Sequence, residues 1–174
     1  MQPRQVRRRL SGAMLLFLAL AACQGAGPEL KPGEKADLVV VEKNRHTLSL
    51  YKEGKLLAAY HAAFGGDPAG PKEREGDNKT PEGRYLLDYK NAGTGYHKAI
   101  HISYPNAQDI ARARKLGVQP GGAIMVHGQK NNYGWASFIT QRFDWTLGCV
   151  ALANDDMDEV WDHVEVGTPI EIRP

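Results

Sequence analysis

From residue 38 onward, short apolar runs alternate with clusters of turn-forming residues. Leu38-Val39-Val40-Val41, His46 to Tyr51 and Leu56 to Phe64 are rich in β-branched, aromatic and aliphatic side chains, with Lys43-Asn44-Arg45 and Lys52-Glu53-Gly54 between them. This spacing predicts consecutive hairpins. A polar stretch rich in glycine and proline runs from Gly65 to Pro81, and further strands are predicted at Gly83 to Tyr89, Ala99 to Ser103, Ala123 to His127 and Ile170 to Arg173. Two segments carry a helical period instead. Between Asn106 and Leu116, Ile110, Ala113 and Leu116 recur at helical spacing, after Pro105 and before Gly117. Between Asn154 and Val164, Met157, Val160, Trp161 and Val164 form one apolar face. Asn154 is available as a cap there, Asp155 and Asp156 suit the positive helix end, and Trp161 is expected in the core. The class is mainly β, with two or three short α-helices.

The first residues change the picture of where the chain works. Arg4, Arg7, Arg8 and Arg9 precede an apolar run from Ala13 to Ala22, and Cys23 follows at once. A basic start, a short apolar run and small residues before a cleavage point are the order of a bacterial export signal. The run is shorter than the roughly 20 residues a membrane-spanning helix needs. Leu20-Ala21-Ala22-Cys23 resembles a lipobox, which implies cleavage before Cys23 and a lipid on its thiol. The expected organisation is therefore a signal peptide over 1–22, a lipidated tether over 23–36 and one catalytic-size domain over 37–174. That resemblance implies a periplasmic protein anchored to a membrane, and Gln24 after the lipidated cysteine favours the outer one. Removing four arginines and no acidic residue takes the formal charge from +2 to about −2. A basic surface for nucleic acid is not indicated.

Lipidation of Cys23 would leave Cys149 with no partner for a disulfide. An unpaired thiol in an oxidising compartment favours chemistry over packing, although a small buried apolar residue is the plainer alternative. Thr146-Leu147-Gly148-Cys149-Val150-Ala151-Leu152 puts this thiol after a glycine and before an apolar run, as a nucleophile at a turn entering a strand. Backbone N–H groups at Gly148 and Cys149 are candidate donors to an oxyanion. A thiol of ordinary pKa, about 8.5, needs a base. Among six histidines, His127 stands at the end of the run Ala123 to Val126, and Gly128 beside it leaves room for a substrate. His101 is the second candidate, inside its own strand, where a structural hydrogen-bonding role is the alternative. His46, His61 and His163 read as solvated or cap-region residues. No paired metal-ligand spacing and no G-x-S-x-G occurs, so neither a metal site nor a serine hydrolase is indicated.

Three stretches resemble the L,D-transpeptidase catalytic domain, the YkuD-type family. They are Glu75 to Tyr85, with Thr80-Pro81-Glu82-Gly83; His101 to Asn106 continuing to Pro120 to Gly128; and Asp144 to Leu152 around Gly148-Cys149. The resemblance implies a β-sandwich-like catalytic domain, no cofactor, and peptidoglycan stem peptides as substrate. It implies attack by Cys149 on the carbonyl of the third stem residue, usually diaminopimelate, with His127 as base and Gly148 and Cys149 as oxyanion donors. Thr146 takes the Ser/Thr position, with a turn hydroxyl as the equal alternative. Tyr133, Trp135 and Trp145 lie between base and nucleophile, where groove wall and core packing are equal alternatives. Carbapenem-type inhibitors would acylate such a cysteine.

Two positions depart from many members of that family, which have histidine where Leu147 stands and arginine where Ala151 stands. The arginine suits a substrate carboxylate, and Arg142 or Arg84 are the candidates to replace it. The form Trp-Thr-x-Gly-Cys-x-Ala resembles Gram-negative homologues that hydrolyse as well as transpeptidate. A carboxypeptidase or amidase, and a non-catalytic peptidoglycan-binding lipoprotein, are the alternative functions.

Overall fold

A computed structural model describes residues 30–174, so the expected signal peptide, Cys23 and the first part of the expected tether lie outside the described residues. Eight strands form one sheet in the order β3-β2-β1-β8-β4-β5-β6-β7. They are β1 (Leu38–Glu42), β2 (Thr47–Lys52), β3 (Lys55–His61), β4 (Gly83–Asn91), β5 (Ala99–Ile102), β6 (Met125–His127), β7 (Val150–Ala151) and β8 (Thr168–Arg173). The pairs β1–β8 and β6–β7 are parallel and the rest antiparallel. Among the described residues, three short α-helices complete the fold: α1 (Ala107–Leu116), α2 (Ser137–Thr140) and α3 (Asn154–His163). The sheet curls back on itself, because Ala63, just past β3, exchanges two backbone hydrogen bonds with Ala151 of β7. The two sheet ends thus meet at the cysteine segment, and the mainly β expectation holds.

Alternation builds the core. In β8, Thr168, Ile170 and Ile172 are buried while Pro169 and Arg173 are exposed, the period-2 pattern of a strand with one face inward. Val39, Val41, Leu48, Leu50, Leu87, Ile100, Ile102, Val126 and Val150 join them, and Met157 and Val160 of α3, with Val164 just past its end, complete the cluster. Each such side chain contributes about 1.5–3 kcal/mol by leaving water.

Both helices at the expected places differ from expectation in how they dock. On α1, Ile110 and Leu116 are exposed, and Ala113 and Asp109 are the buried residues. A capping box from Asn106 and Asp109 starts this helix, and Asp109 also accepts from Tyr85 Oη at 3.0 Å and Arg112 at 3.1 Å. Its anchor is polar, not an apolar stripe. On α3 the cap position belongs to Ala153, with no side-chain cap. Asn154 instead accepts from the Gln129 N–H at 2.8 Å, tying the helix start to the segment after β6. Trp161 is half-buried at the core edge, with the Lys90 and Lys98 ammonium groups 4.9 and 5.6 Å from its ring centre. Near the start of the described residues, Leu30 packs on the core and Ala36 is buried, its N–H donating to His163 O.

Candidate active site

The parallel register of β6 and β7 sets Val126 opposite Val150 and His127 opposite Ala151. Residues two apart along a strand share a face, so Cys149 lies on the His127 side of this pair. Both line one cleft of about 490 Å³, together with Lys72, Glu75, Asn78, Tyr96, Gly121 to Ile124, Trp145, Thr146 and Leu147.

The turn before Cys149 is held by three contacts that leave no freedom at its glycine. Gly148 has φ +133°, and a Cβ there would come within 2.6 Å of Lys79 O. Gly65 is equally confined, its added Cβ meeting Asn78 O at 2.1 Å. Buried Thr80 accepts from the Gly65 N–H at 3.0 Å, so the Thr-Pro stretch braces the chain that pairs with Thr146. Thr146 Oγ1 donates to Cys149 O at 2.8 Å and accepts from the Gly148 N–H at 3.1 Å. This is the turn-hydroxyl arrangement, and it corrects one expectation: the Gly148 N–H is already engaged, not directed at an oxyanion. The Cys149 N–H has no acceptor among the described residues.

His127 is buried, and its Nδ1 lies 2.6 Å from Gly128 O. A carbonyl oxygen only accepts, so Nδ1 carries the proton and Nε2 is left as the basic nitrogen. The ring is sandwiched by Tyr96, with centroids 4.2 Å apart, and by Trp145 edge-on at 5.8 Å. Burial pushes the His127 pKa down, partly offset by the Gly128 carbonyl. Burial also pushes the Cys149 thiol up, opposed by the Met125 N–H and by the charge of Lys72. Both shifts favour a neutral pair over a thiolate–imidazolium pair. The thiol donates toward Ala123 O at 3.8 Å.

The remaining sequence candidates scatter. Trp145 lines the cleft, and its Nε1 is buried without an acceptor. Tyr133 and Trp135 are exposed and outside the cleft lining, as groove walls they are not brought in. His101 Nδ1 pairs with Asp88 at 2.7 Å and its ring stacks on Tyr89, away from the cleft lining, which is the structural role. Gly128 is needed for packing, not for substrate room: a Cβ would meet His97 O at 2.7 Å and Asn154 Oδ1 at 2.8 Å. Arg84 pairs with Glu171 at 3.6 Å on another face, and Arg142 does not line the cleft, so neither replaces an arginine at Ala151. Ala151 itself is fully buried.

Sequence reasoning missed Tyr96 and Lys72. Tyr96 reaches His127 because the backbone of His97 pairs with Gly128 and Gln129, a long-range pairing without a local signal. Lys72 lies in a polar stretch where a lysine ordinarily means solvent, yet it is buried beside Asp77. No group of three or more His, Cys, Asp or Glu residues able to hold a metal occurs among the described residues.

A curled mainly β sheet presenting a cysteine and a histidine in one cleft defines a class, and comparison with known proteins specifies it. Residues 36–172 match the model of the L,D-transpeptidase catalytic domain, YkuD, and the chain belongs to that family. YafK of Escherichia coli strain K12, a candidate L,D-transpeptidase, is 30% identical over 132 residues, covering 72% of this chain and 46% of YafK. The chain thus spans about half the length of that relative. Among solved structures, the helical cell shape determining protein Pgp2 of Campylobacter jejuni has a TM-score of 0.55 at 26% identity, covering 80% of this chain and 48% of Pgp2. LdtMt1, solved with imipenem, superimposes with a TM-score of 0.52 at 19% identity, over 78% of this chain and 57% of that one, and shows the shared fold.

Proposed function

We propose that this protein carries out cysteine-dependent acyl transfer on peptidoglycan stem peptides. The observation that carries the reading is the shared cleft of Cys149 and His127 on the β6–β7 pair. His127 Nε2 takes the thiol proton as Cys149 Sγ attacks the carbonyl carbon of the third stem residue. The developing oxyanion is met by the Cys149 N–H. The tetrahedral adduct collapses, the C–N bond to the terminal D-alanine breaks, and His127 returns the proton to the leaving amine. A thioester remains. An acceptor amine then attacks it, gives its proton to His127, and releases the thiolate, which recovers the proton.

Because both shifts favour neutral groups, proton transfer accompanies attack in this scheme. Water in place of the amine gives the carboxypeptidase or amidase outcome with the same residues. Incubation with disaccharide tetrapeptide separates them: cross-linked dimers report transfer, and tripeptide monomers report hydrolysis. Neither product, with unchanged tetrapeptide, contradicts both. The export signal and Cys23 support a periplasmic, lipid-anchored setting for this chemistry, tested by globomycin-sensitive processing and palmitate labelling of Cys23.

A further inference from the structure

Position 151, where the resemblance leads one to expect arginine in many members of the family, holds a fully buried alanine. The two arginines that the sequence suggests as replacements lie outside the cleft lining. A cation is nevertheless present. Lys72 lines the cleft, and its side chain is 4% exposed. Its ammonium donates to Asp77 Oδ1 at 2.7 Å and to Arg74 O at 3.0 Å. An ammonium has three donors, so one is left beyond these two.

Lys72 is one of several partners of Asp77. The Asp77 carboxylate also accepts from the N–H groups of Glu73 at 2.8 Å, Arg74 at 3.0 Å and Lys79 at 3.1 Å. Its negative charge is therefore shared among three backbone dipoles and is not spent on Lys72 alone. The Lys72 charge reaches the thiol, drawing the Cys149 pKa down against the larger upward effect of burial. The 72–79 loop is rigidly tied to the nucleophile turn, because Lys79 O and Asn78 O abut Gly148 and Gly65. The ammonium is thus held at a set place relative to Cys149. Glu75, the other charged residue of the lining, is exposed.

We infer that Lys72 is a specificity-determining residue that binds a carboxylate of the peptide substrate beside Cys149, in place of the arginine absent at position 151. The inference rests on the acyl-transfer reading above. Two carboxylates of a stem peptide have the required chemistry: the C terminus of the leaving residue and the side-chain carboxylate of the third residue.

The test measures the rate of acyl-enzyme formation by intact-protein mass spectrometry with three tetrapeptides: unmodified, amidated at the C terminus, and amidated on the third side chain. In wild type, one amidation should slow acylation about 10- to 100-fold, the range expected for a hydrogen bond to a charged partner, and which one does so identifies the carboxylate. In Lys72→Met that ratio should fall to within about 3-fold of unity, while Lys72→Arg retains it. Lys72→Gln keeps a donor for Asp77 without the charge, and is read in parallel in case the methionine variant does not fold; it should lose the ratio as well. Equal rates with all three peptides in wild type overturn the assignment of Lys72 but leave the cysteine chemistry standing. A preference that persists in Lys72→Met or Lys72→Gln also overturns it. No acyl-enzyme with any peptide contradicts the acyl-transfer reading itself.

Discussion

His127 and Ala151 face each other across the parallel β6–β7 pair, and Cys149 lies two residues before Ala151 on the same side. The pairing of these short strands places base and thiol together, although 21 residues separate them in the chain. If this placement serves catalysis, His127→Ala should lower acylation by about 10²- to 10⁴-fold, the usual worth of a positioned general base. Circular dichroism should show the fold retained. A loss under about 3-fold in stopped-flow acylation would remove His127 from the mechanism.

The proton inventory leads to a pH expectation. Burial holds His127 below its ordinary value and Cys149 above its own, so at neutral pH both are uncharged in the free protein. The rate of alkylation of Cys149 by iodoacetamide should therefore keep rising with pH beyond pH 9. A plateau between pH 6 and 8 would reveal a preformed thiolate–imidazolium pair. Acylation by substrate should persist to lower pH than an ordinary imidazole would allow, because burial keeps His127 neutral further into the acid range.

Gly148 is confined by its backbone angle and by Lys79 O together. Gly148→Ala should destabilise the protein by at least about 1–3 kcal/mol and move Cys149 as well, so activity and melting temperature fall together. An active Gly148→Ala protein with unchanged melting temperature would show that the turn yields easily.

Thr146 offers a cleaner separation. Thr146→Ser retains the oxygen that bonds both Gly148 N–H and Cys149 O, whereas Thr146→Val leaves two buried backbone groups unpaired. The valine variant should lose about 1–3 kcal/mol in urea unfolding, and the serine variant much less. A valine variant no less stable than the serine variant would show that the two bonds of the hydroxyl do not hold the turn.

Asp77 makes a prediction at the acid end. Burial pushes the Asp77 carboxyl up, but its four donors together outweigh that and hold it at about 2, below its ordinary 3.8. The depressed value means that its contribution is fully present above pH 4 and is lost as pH falls through about 2. Asp77→Asn should flatten the stability profile between pH 4 and 2, measured by thermal melts across that range.

Much of the fold was legible because strand alternation and helix spacing are local. The two longer helices fell where their periods put them. Their docking was not legible: Asp109 replaces the expected apolar face of α1, and Asn154 leaves the cap to reach Gln129. These depend on neighbours distant in sequence. At the candidate site, the Gly148-Cys149 turn and the position of His127 at a strand end could be read from residue types. The engagement of the Gly148 N–H by Thr146, the packing need for Gly128, and the burial of Lys72 come only from chain segments meeting in space. A glycine beside a histidine reads the same whether it admits a substrate or a neighbouring carbonyl.

The central claim is that Cys149 forms a thioester with its substrate. Intact-protein mass spectrometry after exposure to a carbapenem tests it most directly. Wild type should gain the mass of one carbapenem, mapped to the peptide containing Cys149, and Cys149→Ala should gain none. Equal labelling of the two proteins, or no adduct on wild type, would contradict the account.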